Sequence, residues 1–120
     1  MNTYFRWLKS HTHAIRLIMK NEIINEIDHF LAMTLETDND ILTEQFAYIK
    51  ARIDTQLRNE PGKQGKVNQK AFNLMHAKTS EDIRFLFLEK DNPKPVADKA
   101  IVLARLQDRV TQVRKLIEDN

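Results

Sequence analysis

Glu22, Glu26 and His29 are the residues best spaced to do chemistry: steps of four and three place all three on one face of a helix. Carboxylates and an imidazole in that pattern suit a divalent metal. Di-iron bundles take a Glu-x-x-His pair from each of two helices and one glutamate from each of two more. Glu26 and His29 form one such pair, but the position that would open a second, three before His76, holds Asn73. The ligand set is incomplete, so no metal site is expected and the three residues read as a solvated acidic face. His11 and His13 stand two apart, which turns their rings about 200° from each other on a helix and prevents joint chelation.

Nucleophilic catalysis finds no better support. The chain has no cysteine, which excludes a thiolate nucleophile, a cysteine-ligated zinc and any disulfide. Ser10 and Ser80 lie beside predicted helix starts, where a hydroxyl commonly caps, and neither sits in a glycine-flanked strained turn. Gly62 and Gly65 lack the strand and the Lys-Ser/Thr pair of a phosphate-binding loop. No catalytic residue and no cofactor is expected, and the chain does not read as an enzyme.

Charge offers more. Arg6, Lys9, His13, Arg16 and Lys20 follow steps of three, four, three and four, one side of a helix if residues 4–20 are helical. Lys63, Lys66, Lys70 and Lys78 form a second basic group free of acids. Residues 1–21 carry +4, residues 22–60 hold nine acids against three bases, and residues 61–120 return to +4, within a net charge of +2. An acidic middle between basic flanks suits segments that complement one another within a bundle, or a surface that selects partners by charge.

These groups must be carried by helices. Two glycines and three prolines in 120 residues are too few for a sheet with tight hairpins. The first helix is predicted from Ser10 or Thr12 to about Leu35 on Ile15, Ile18, Met19, Ile23, Ile27, Phe30 and Leu31, with residues 3–9 an earlier turn of it or a short separate helix. A polar break at Thr37-Asp38-Asn39-Asp40 supplies capping oxygens for a second helix, whose Leu42, Phe46, Ile49, Ile53 and Leu57 run to about Arg58. Both glycines and a proline mark a short flexible loop near 59–66. A third helix is predicted over Val67–Ala77 and a fourth near 81–90, both placed over one end of the core. The last runs from Pro95 or Val96 to about Glu118. Its Leu103, Leu106, Val110, Val113 and Ile117 have heptad-like spacing, the seam of a coiled coil or of an antiparallel bundle.

The expected fold is therefore all-α: a single-domain bundle of four to five helices over residues 1–120, with three long core helices and a heptad-like C-terminal helix. The expected function is a non-enzymatic protein-binding module, an adaptor, small chaperone, inhibitor or regulator working through a helical face. Its C-terminal seam predicts a homodimer. Nucleic acid is the alternative partner, bound through the N-terminal stripe with Lys66 and Lys70 assisting. A membrane surface, met by Tyr4, Phe5, Trp7 and Leu8, ranks below both. Those same residues lack the continuous apolar run of a secretory signal, and a cytoplasmic location is expected.

Overall fold

The predicted periodicities become five helices in the computed structural model, which describes residues 2–57, 60–76, 79–88 and 96–119, with side chains over 17–57, 60–76, 79–86 and 98–119. They are α1 Asn2–Leu31, α2 Asn39–Arg52, α3 Gly62–His76, α4 Ser80–Leu88 and α5 Val96–Glu118. Residues 3–9 are part of α1. α2 runs on into a π-helical segment, Ile53–Leu57. Its core positions explain why: Ile49, Ile53 and Leu57 are successive steps of four, each of which drifts about 40° around an α-helix, and a wider turn absorbs that drift.

Contacts between side chains fix the directions. Gln45 Nε2 donates to the Glu26 carbonyl at 3.0 Å and to its carboxylate at 2.7 Å, and Arg52 pairs with Glu22, so α2 runs antiparallel to α1. Arg114 meets Asp28 while Gln107 reaches the end of α1, so α5 is antiparallel to α1 as well. Asn68 meets Leu57 and His76 meets Lys50, which sets α3 antiparallel to α2. α4 continues in the direction of α3, its Asp82 bonded to Arg105 of α5 at 2.6 Å. The result is an up-down-up-down bundle whose third rod is broken in two.

That arrangement corrects the placement of the two short helices. They lie along α2 and α5 as one wall, and Ala71, Met75 and Leu86 are fully buried in the core with Ile23, Ile27, Phe30, Leu42, Phe46 and Ile49. Leu103, Leu106, Val110, Val113 and Ile117 are also interior, none more than 5% exposed. The heptad-like spacing that predicted a dimer seam packs against the chain's own helices, α1 and α3 above all.

Helix ends also move. α1 stops at Leu31, four residues short of the prediction, because a glutamine far along the chain caps it: Gln107 Nε2 donates to the carbonyls of Phe30, Leu31 and Met33 at 3.4, 3.4 and 3.0 Å. Thr37 Oγ1 then accepts the Thr34 amide at 3.0 Å, and Thr34 Oγ1 accepts the Glu36 amide at 3.2 Å, closing the turn before α2. The loop near 59–66 is shorter than its glycines suggested, since α3 already starts at Gly62. There φ is +70°, and a methyl group at Gly65 would collide with the Glu60 carbonyl oxygen. Both glycines make a tight turn into a helix.

The molecule is long, 64 × 22 × 22 Å with a Cα radius of gyration of 17.0 Å, against about 13.5 Å for a rounded domain of this length. α1 accounts for this: 30 residues span about 45 Å. Among its described side chains Met19 is the first to pack against the core, while Leu17 and Ile18 are 49% and 57% exposed.

One surface interaction has a pH signature. Arg114 holds Asp28 by a two-pronged contact, Nε to Oδ1 at 2.7 Å and Nη2 to Oδ2 at 3.2 Å. Hydrogen bonding to that guanidinium lowers the Asp28 carboxyl below its usual 3.8. A depressed carboxyl favours folding above its unfolded value and loses that contribution as pH falls through the folded one. Thermal melts from pH 6 downward should therefore lose a component below about 4 that Asp28→Asn abolishes and added salt weakens, because both groups face solvent. Identical pH profiles for the two proteins would refute it.

Candidate functional site

The break in the third rod is built around Thr79. Its hydroxyl, 5% exposed with its residue, donates toward the carbonyls of Met75 at 2.9 Å and His76 at 3.1 Å, satisfying the end of α3. Its own carbonyl accepts the Ile83 amide at 2.9 Å and so opens α4. The step leaves a groove of about 430 Å³ between α2 and the α3–α4 joint. Phe46, Ala47 and Ile83 make its apolar floor. Thr43, Thr79 and Ser80 add hydroxyls, and Lys50, His76 and Arg84 stand at the rim. Among the described residues, no carboxylate lines it. The acids of the first turn of α4, Glu81 and Asp82, open instead on the other side, toward α5, where Asp82 meets Arg105.

Lys50 is held in place. Its Nζ lies within hydrogen-bonding distance of His76 Nδ1, 2.7 Å away, and 5.8 Å from the centre of the Phe72 ring. His76 and Phe72 stack at 5.9 Å with planes 9° apart. Neither Lys50 nor Arg84 pairs with a carboxylate among the described residues.

A second concavity, between α1 and α2, has the opposite character. Glu26, Glu44 and His29 surround Met33, Ile41 and Tyr48, and Ile41 and Tyr48 are 47% and 43% exposed. Tyr48 is braced by Arg52, whose Nη1 donates to its hydroxyl at 2.6 Å. The metal triad is dispersed into these contacts: Glu22 pairs with Arg52, Glu26 accepts from Gln45, and His29 is exposed. Among the described residues, no three histidines or acids gather closely enough to hold an ion.

Of the basic residues singled out from sequence, Arg6, Lys9, His13 and Arg16 have side chains outside the described residues, although the backbone there is helical. Lys20 is half-buried. Lys66 and Lys70 are exposed on α3 with Lys63, and none of the three has an ion pair among the described residues. The structure does not bring Lys20 into contact with the α3 lysines. No helix among the described residues is long and apolar enough to cross a membrane.

The groove residues escaped sequence reasoning because Thr43, Ala47 and Lys50 run beside the core stripe of α2 and pass for its solvated flank. Ala47 is the one signal: an exposed alanine between a threonine and a lysine at steps of four and three marks a flank with room beside it. Compared with protein-family models, curated proteins and solved structures, the chain matches none.

Proposed function

We propose that this chain is a non-enzymatic protein-binding helical module, of the adaptor, small-chaperone, inhibitor or regulator kind, which holds its partner through a helical face. The observation that carries the reading is the α2–α4 groove, with an apolar floor of Phe46, Ala47 and Ile83 and a rim of basic side chains that no acid pairs with among the described residues. Concavities between helices of a bundle are common binding places, and an apolar floor with a charged rim supplies both affinity and selectivity.

A capture experiment tests it, using immobilised chain, host lysate and nuclease. Ala47 is exposed, so Ala47→Arg fills the groove without touching the core, and Ala104→Arg on exposed α5 surface is the control. The expected result is a stoichiometric, nuclease-resistant protein retained by the wild type and the control but lost from Ala47→Arg. Nucleic acid is the second reading, supported by the exposed row of Lys63, Lys66 and Lys70, which has no ion pair among the described residues. It would displace the first if the captured material absorbed as nucleic acid, vanished with nuclease, and fell on Lys66→Ala with Lys70→Ala while its salt dependence flattened.

A further inference from the structure

We infer that the segment seated in the α2–α4 groove is an acidic amphipathic helix whose carboxylates stand seven positions apart with apolar residues between them; this rests on the protein-binding reading. The groove runs along two helices. From Thr43 to Lys50 its α2 wall covers seven residues, about 10.5 Å or two turns. The opposite wall carries His76 and Ser80 at one end and Ile83 and Arg84 at the other. Basic groups therefore stand at both ends, Lys50 with His76 at one and Arg84 at the other, and the apolar floor lies between.

A helix laid in this space meets it with side chains at i, i+3, i+4 and i+7, the positions that share one face over two turns. Acids at i and i+7 reach the two basic ends, and apolar residues at i+3 and i+4 reach Phe46 and Ile83. Ala47, exposed and small, lets the incoming backbone approach α2. Lys50 is already fixed against His76 and Phe72, so little of its freedom remains to be lost on binding. The complementarity is specific in sign. The α1–α2 concavity, rimmed by Glu26 and Glu44, repels the same helix.

The test uses a fluorescein-labelled, alanine-based helical peptide with glutamates seven positions apart and leucines at the third and fourth positions after the first of them. A control of the same composition spaces the glutamates five apart. Anisotropy should show saturable binding of the first peptide and about tenfold weaker binding of the control. Lys50→Glu with Arg84→Glu should lose about tenfold or more toward the glutamate peptide and gain binding of its lysine counterpart, a rescue that also shows the variant is folded. Equal binding of the glutamate peptide to wild type and charge-reversed protein, or none to the wild type, overturns the inference. A photoreactive phenylalanine at Ala47 or at Ile41 then separates this from the wider reading. A partner crosslinked from either site that the glutamate peptide does not displace leaves protein binding standing and removes the acidic helix; no crosslinked protein from either site removes both.

Discussion

Asn68→Asp should cost about 3–5 kcal/mol at neutral pH, the usual consequence of leaving a buried charge without a partner. Asn68 is fully buried. Its Nδ2 donates to the Leu57 carbonyl at the end of the π-helical segment, and its Oδ1 accepts from Gln64 Nε2 at 3.0 Å. Aspartate keeps the acceptor and loses the donor, so an anionic oxygen would face a carbonyl oxygen at the negative end of a helix. A protonated aspartate can donate as the amide does. Its carboxyl is therefore raised in the folded variant, which makes the protonated form the stabilising one: the defect should be least below the ordinary carboxylate value and grow as pH rises from there through the raised folded value. Urea denaturation at pH 7 and pH 4, compared with the wild type at each, measures both effects. A variant within 1 kcal/mol of wild type at pH 7, on the scale of one ordinary hydrogen bond, would show that Asn68 does not cap Leu57.

Phe30→Ala should be as damaging, about 3–5 kcal/mol, through a cavity the helices cannot close. Phe30 is fully buried at the end of α1, and its ring meets Phe46 edge-on with centroids 5.8 Å apart and planes at 62°. It also belongs to the stretch whose carbonyls Gln107 caps, so three helices converge on it. Against a total of about 5–15 kcal/mol for a domain, this loss leaves little margin. The urea midpoint should fall sharply at an unchanged slope, Phe30→Leu should lose less than half as much, and exposed Lys66→Ala should stay within about 0.5 kcal/mol. A midpoint for Phe30→Ala close to that of Lys66→Ala would place the core elsewhere.

Much of this architecture is legible in the sequence because burial imposes a period. Ile23, Ile27 and Phe30 mark the inner face of α1, and Leu42, Phe46, Ile49, Ile53 and Leu57 that of α2, without reference to any neighbour. Helix ends are less legible, since what ends α1 is Gln107, which lies 76 residues beyond Leu31 and reaches it only in the folded bundle. The heptad-like spacing of α5 is ambiguous for a related reason: Leu106 and Val110 need an apolar neighbour, and a period does not say whether that neighbour belongs to the same chain. The groove is the least legible part. Lys50 and Arg84 are brought to one site by antiparallel packing across a broken rod, and neither residue type nor spacing records that meeting.

The break itself sets how the molecule opens. α4 has nine residues, below the length at which a helix persists in water by itself, so it stays helical only while Leu86 is docked and Asp82 holds Arg105. α5, with 23 residues and a core position on nearly every turn, carries no such dependence. Amide hydrogens of α4 should therefore exchange through a local detachment well below the free energy of global unfolding, while those around Val110 wait for the whole bundle to come apart.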